Sequence, residues 1–191
     1  ITSSKKKLRD LENRSIIGTS SYRREFQLKR IRPDINCKLI RGNVDTRIQK
    51  LKEGLYDGIL LSSAGIKTLN LEENITETFS TDQIIPSAGQ GIIAIQCRVN
   101  DEKMISILKK INHDQTYKRA YIERSVLKVL EGNCETAVGV YSRIKDEKII
   151  VEAELFSLDG SKRYYEKKTV KSHNFKEIGE EVGNNLKIKS N

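Results

Sequence analysis

The amino-acid sequence predicts an α/β domain with a parallel sheet of βαβ units, followed by a small α+β domain with a three-stranded antiparallel sheet. Short apolar runs alternate with amphipathic helical runs from Ser15 to Leu69, and strands alternating with helices over connections this short make parallel βαβ units. From Asp114 onward the pattern changes to one long helix, three strand-like runs joined by tight turns, and a closing helix. The 191 residues, 37% hydrophobic and 32% charged, are enough for one or two globular domains with a sizeable core.

In chain order, "SIIGTS" reads as a first strand and "SYRREFQLKRI" as a helix with Tyr22, Phe26 and Ile31 at core spacing, stopped by Pro33 and Asp34. "NCKLI" is a second strand. "VDTRIQKLKEG" is a second helix, with Val44, Ile48 and Leu51 on one face and Gly54 at its C-cap. "DGILLSS" is a third strand running into "AGIKTLN". The stretch from Leu71 to Ala88 is irregular. "GQGIIAIQCRV" then predicts a glycine turn and an apolar strand over Gly91–Val99, followed by the helix "DEKMISILKKI". This strand and helix form an orphan pair between two better-defined regions. The long helix from Asp114 places Tyr117, Ala120, Tyr121 and Leu127 along one face. After the strands "AVGVYSRI", "KIIVEAELFSL" and "KRYYEKKTV", a helix starts at Asn174 with a capping box to Glu177 and an apolar face of Phe175, Ile178, Val182 and Leu186.

The formal charge of +9 points to an anionic partner. Basic residues are spread through the chain, few aromatics are interleaved with them, and no helix-turn-helix or RNP pattern occurs, so nucleic acid is not the expected partner. No apolar run is long enough to span a bilayer, so no membrane partner is expected either. The three cysteines, Cys37, Cys97 and Cys134, include no CxxC pair. They fit a reducing compartment, with Cys37 and Cys97 packed in strands, and no metal site is expected. Cys134 differs, because it sits on a polar turn between a helix and a strand. The sequence opens "ITSSKKK" without an initiator Met, which predicts that the natural N-terminus lies outside it.

Three predicted strand ends are unusually polar: "GTSSYRR", "RGNVDTR" and "SSAG". Ligands of open parallel sheets bind at the carboxyl ends of strands, where helix N-termini favour anions. Thr19, Ser20 and Ser21 offer hydroxyls there, and Arg23, Arg24, Arg41 and Arg47 offer guanidinium forks for carboxylates or phosphates. There is no GxxxxGK[ST] loop, so a nucleotide phosphate site has little support. Gln90, between two glycines, can present an amide to a ligand. His113, beside Asp114 at a helix start, reads as a solvent-facing cap, and no Ser–His–Asp or Cys–His arrangement emerges.

Taken together and in order, "GTSSYRR", "RGNVDTRIQKL", "YDGILLSSAGIKTL", "PSAGQGIIAIQCR" and "AYIERSVLKVLEGNC" resemble the hydroxymethylbilane synthase (porphobilinogen deaminase) family. The resemblance implies an enzyme that joins four porphobilinogen molecules with loss of ammonia, on a dipyrromethane primer held by a thioether, to give hydroxymethylbilane for haem and other tetrapyrroles. It implies Cys134 as the covalent cofactor residue, and it implies cofactor or substrate contacts at Thr19, Ser21, Arg23, Arg24, Arg41, Arg47 and Gln90. Partners are then porphobilinogen, with its acetate and propionate, and the growing polypyrrole chain. The implied fold has α/β domains similar to periplasmic binding proteins. Residues 1–88 form the central α/β domain, 89–112 a return into an N-terminal domain mostly absent from this sequence, and 113–191 the C-terminal domain. The family's catalytic aspartate belongs to that absent part, so no catalytic residue is assigned. The chain departs from the family pattern at Asn133, where glycine is usual, and at Thr68, where an arginine is general. The expected compartment is the cytoplasm, with a plastid-type organelle as the alternative. The competing functional reading is a non-catalytic anion-binding module of the periplasmic-binding-protein type.

Overall fold

The computed structural model describes residues 1–131, 136–171 and 175–191. Cys134, Asn133 and the expected cap at Asn174 lie outside the described residues. The chain forms two compact units. The first comprises Ile1–Ile84 with 136–137 and Phe156–Lys162. The second comprises 85–131, Val138–Leu155 and the described residues of Arg163–Asn191.

In the first unit, β1 (Ile16–Gly18), α1 (Tyr22–Ile31), β2 (Asn36–Lys38), α2 (Val44–Lys52), β3 (Gly58–Ile59) and α3 (Ser63–Thr68) follow one another. The strands make a parallel sheet of order β2-β1-β3, with Ile17 opposite both Cys37 and Gly58. This is the expected βαβ arrangement. Side-chain caps start all three helices: Ser21, Asn43 and Ser62 accept from Arg24, Thr46 and Gly65 N–H. Leu8, Leu11, Ile17, Leu28 and Ile35 form one core cluster, and Ile40, Ile48, Leu51 and Ile59 another. The α1 face is turned by one residue from the expected one. Arg23, Gln27 and Leu28 are buried, whereas Tyr22 is 54% exposed. One residue is 100° of helix, and the rotation aims Arg24 at the sheet, where its guanidinium binds the Leu60 carbonyl.

In the second unit, α4 (Glu102–Ile111) and α5 (Asp114–Val129) precede β4 (Val138–Lys145), β5 (Lys148–Phe156), β6 (Arg163–Lys171) and α6 (Phe175–Ser190). The sheet order is β4-β5-β6, and β4 pairs antiparallel with β5 from Val138 opposite Leu155 to Lys145 opposite Lys148. Its core joins Ile122 and Val126 to Val138, Val140, Ile149, Val151 and Ala153, and to Ile178, Val182 and Leu186. The α6 face is the one expected. On α5 the buried stripe is Ile122, Glu123 and Val126, not the expected Tyr117 and Tyr121, both of which are exposed. The reason is the closeness of α5 and α6. A Cβ on Gly179 would stand 2.5 Å from the Ile122 carbonyl oxygen, and one on Gly183 2.7 Å from Val129 Cβ. Small residues on α6 therefore let the Ile122–Val126 stripe approach, and the bulkier tyrosines stay outside.

The strand expected over Gly91–Val99 is not present: residues 92–98 form no regular element, and Ile93 and Val99 are 91% and 85% exposed. Cys97 accordingly lies outside any strand, whereas Cys37 packs beside a core cluster as expected. A strand exists only through inter-strand pairing, and no edge among the described residues offers this segment its partner. The α4 helix that follows buries none of its residues, although Met104, Ile107 and Ile111 recur at helical spacing.

The Gly179 packing gives a direct test. Gly179→Ala places a methyl group against backbone rather than a movable side chain. It should destabilise the protein by roughly 1–3 kcal/mol in urea unfolding, while Gly54→Ala, which meets nothing within 4 Å but sits at positive φ, should cost less. Equal costs would contradict the packing account.

Candidate functional site

The site is built at the carboxyl ends of β1, β2 and β3. Leaving β1, Thr19 is buried and its N–H donates to Lys38 O (3.0 Å) at the end of β2. Its Oγ1 accepts from Ser21 N–H (3.2 Å), and Ser21 Oγ in turn accepts from Arg24 N–H (3.4 Å) to cap α1. Two hydroxyls and the start of a ten-residue helix are thus fixed together at the end of the central strand. Their polarity favours an anion.

Arg23 and Arg24 follow on the first turn of α1. Arg23 is 5% exposed. Arg24 Nη1 donates to Leu60 O (3.2 Å), just beyond β3, so one guanidinium links α1 to a second strand end. Arg47, on α2, is steadied by its Nε donating to Gly42 O (2.8 Å). The neighbouring loop is braced where Lys50 Nζ donates to Arg41 O (3.0 Å), and the Arg41 side chain is exposed.

Burial, and then the positive charge of Arg47, pull the Arg24 guanidinium below its ordinary pKa. Both causes oppose a cation in this place, yet an arginine stays charged at any physiological pH. No acidic side chain among the described residues offsets the pair. A partly buried cation beside a second cation is stabilised by an anion between or against them, and a carboxylate that accepts two parallel N–H bonds fits a guanidinium fork. The structure therefore brings Thr19, Ser21, Arg24 and Arg47 into one cationic region, with Arg23 buried on the same turn of α1 and Arg41 on the adjoining loop.

Thr68, on α3, spends its hydroxyl on Ala64 O (3.0 Å), and Lys67 is exposed. His113 caps α5, with Nδ1 against Thr116, as expected of a surface cap. The described residues contain no group of three or more His, Cys, Asp or Glu able to hold a metal ion, and no helix among them is long and apolar enough to cross a membrane. Burial, with a smaller contribution from Glu25, pushes the Cys37 thiol up to about 11, so it is a poor nucleophile at neutral pH.

Gln90 lies in the second unit. The turn that carries it is closed by Gln90 N–H to Ser87 O (3.1 Å), and Gln90 Oε1 faces Ser87 N–H (3.4 Å) and Ser87 Oγ (3.2 Å). The side-chain carbonyl is occupied within the turn, and the exposed amide NH2 is left to donate outward. One residue that supports this turn, Glu123, escapes sequence reasoning. A glutamate in an amphipathic helix reads as solvated, and the only available signal is its place between Ile122 and Val126 on the stripe that is actually buried.

Known proteins are similar to this chain in sequence. Residues 1–106 match the family model described as porphobilinogen deaminase, dipyromethane cofactor binding domain, and residues 117–188 match that of the porphobilinogen deaminase C-terminal domain. A porphobilinogen deaminase of Exiguobacterium sibiricum is 43% identical over 164 residues, covering 85% of this chain and 53% of the relative. One from Campylobacter jejuni is 40% identical over 168 residues, covering 87% of this chain and 54% of the relative. The chain spans about half the length of the curated relatives it matches. By matches that cover more than half of its residues, in both of its compact units, the chain belongs to the porphobilinogen deaminase family.

Proposed function

We propose that this chain carries the central and C-terminal parts of a hydroxymethylbilane synthase, a transferase that polymerises porphobilinogen with loss of ammonia. The observation that carries the reading is the Arg24–Arg47 pair, two guanidinium groups with no acidic partner among the described residues, set beside the Ser21-capped helix at the strand ends. Each pyrrole unit brings an acetate and a propionate, so a growing chain gains two carboxylates per step. Arg24, Arg47, Arg41 and Arg23 would take these carboxylates, with Thr19 and Ser21 donating hydroxyl hydrogen bonds. Matched cation and anion chemistry of this kind supports a site for a dipyrromethane group, and Cys134 is the residue that would hold it through a thioether. Bound there, that group supplies the pyrrole carbon to which new units are joined.

The chain's own residues would bind and orient in this scheme. Guanidinium forks fix the ring carboxylates, and the turn at Gln90 adds an amide donor. No carboxylate here is assigned to proton handling. In domain terms, residues 1–88 would form the central domain, 89–112 a return into an N-terminal domain outside this sequence, and 113–191 the C-terminal domain that bears the cofactor cysteine. Exposed Ile93, Ile95 and Val99, together with the uncovered apolar side of α4, support the return. The cytoplasm is the compartment proposed for such an enzyme, with a plastid-type organelle as the alternative.

Intact-mass measurement and porphobilinogen consumption by the natural protein test the function. A covalent dipyrromethane and release of hydroxymethylbilane are expected. Reversible anion binding without either would favour a non-catalytic binding module instead. Peptide mapping should place the adduct on Cys134; an adduct on Cys37 or Cys97 would overturn that assignment.

The arginines make a second test. Arg24→Leu and Arg41→Leu should each cripple elongation, through loss of a charge-assisted pair worth about 1.5–3 kcal/mol. The urea midpoint should change little for the exposed Arg41 and fall for Arg24→Leu, which also gives up the bond to Leu60 O. Normal elongation by both variants would refute the cationic site. The third concerns the 191 residues alone, free of any other part of the protein. They should bind pyrrole carboxylates weakly and form no hydroxymethylbilane, followed as uroporphyrin absorbance. Sustained turnover by them would show that the chemistry has been misplaced.

A further inference from the structure

Glu123 is a carboxylate in the core of the second unit, 2% exposed. Burying a charge costs several kcal/mol unless hydrogen bonds replace its water, and here neutral donors supply them from two other segments. Oε1 accepts from Ser142 N–H (2.9 Å) and Ser142 Oγ (2.8 Å) on β4, and Oε2 accepts from Gly89 N–H (2.8 Å). The two oxygens thus face different parts of the chain. One holds α5 to the sheet. The other reaches the turn that carries Gln90.

That turn needs the second contact. Upstream it is fixed where Val140 N–H donates to Pro86 O (2.8 Å) and where Ile85 packs on Gly139, so close that a Cβ on Gly139 would lie 3.1 Å from Ile85. Downstream, residues 92–98 form no regular element. Gly89 itself has φ +72, a left-handed conformation that fixes where its N–H points. Beyond Pro86, Ala88 packs against the core cluster, and the Glu123 carboxylate supplies the side-chain hydrogen bond that holds Gly89 itself.

We propose that Glu123 is a positioning residue, which clamps the Gly89–Gly91 turn so that the outward-facing Gln90 amide NH2 is held in place as a ligand donor. This rests on the reading of Gln90 as a ligand donor given above. The clamp acts through geometry, since Glu123 touches neither substrate nor cofactor.

Glu123→Gln tests it with little change in volume. The amide offers one acceptor oxygen to two facing groups. Ser142 is wholly buried and cannot turn to water, whereas the Gly89 turn can, so the oxygen stays with Ser142 and Gly89 loses its acceptor. In the natural protein, amide hydrogen exchange at Gly89–Gly91 should rise tenfold or more, with protection in β5 and α6 unchanged. Porphobilinogen kcat/KM should fall about as far as in Gln90→Ala, and the double variant should be no worse than either single one, because both lose the same contact. Unchanged exchange at Gly89, or an equal rise throughout β5 and α6, would overturn the clamp. So would losses that multiply in the double variant. The exchange measurement reads the clamp without reference to activity, whereas normal turnover by Gln90→Ala would strike at the assignment of Gln90 itself.

Discussion

A guanidinium held partly out of water beside another of the same charge is the constraint around which the first unit is arranged. Arg24 can occupy that place because Ser21 starts α1 where it does and because the Leu60 carbonyl accepts one of its N–H groups. In that orientation α1 buries Leu28 and Arg23 and turns Tyr22 to solvent. Arg47, tethered to Gly42, is the second cation, and its charge adds to burial in lowering the Arg24 pKa. Fold and binding chemistry are joined at one point: three parallel strands end together, and their loops deliver helix starts, hydroxyls and cations to one edge.

The second unit meets a different demand. Its core is an antiparallel sheet covered by two helices that come unusually close, and glycines at 179 and 183 permit the approach. Into this apolar setting Glu123 brings a charge, tolerated because backbone and hydroxyl donors surround its two oxygens. A buried carboxylate is a weak source of stability. It makes better sense as a device that specifies geometry, here the path of the chain around Gln90. The apolar residues from Ile93 to Ile111 obey no such internal demand. They have strand and helix periodicity but no partner among the described residues, and a backbone without a pairing edge does not become a strand.

Much of this was legible in the residues themselves. Alternation of apolar runs with amphipathic ones determines the βαβ order, because hydrophobic period selects strand or helix locally, and short connections leave few topologies. The solvent-facing cap at His113, the polar strand ends and the apolar face of α6 follow from the same local rules, and five ordered motifs sufficed to indicate the family. Tertiary structure alone decided which face of α1 and of α5 is buried, that Gly91–Val99 is not a strand, and that Glu123 is an internal anchor rather than a surface charge. These share one physical cause. Helix rotation, strand pairing and the burial of a charge depend on what a distant segment offers, whether the Leu60 carbonyl, an α6 glycine or the Gly89 amide, and no local pattern of residues encodes that.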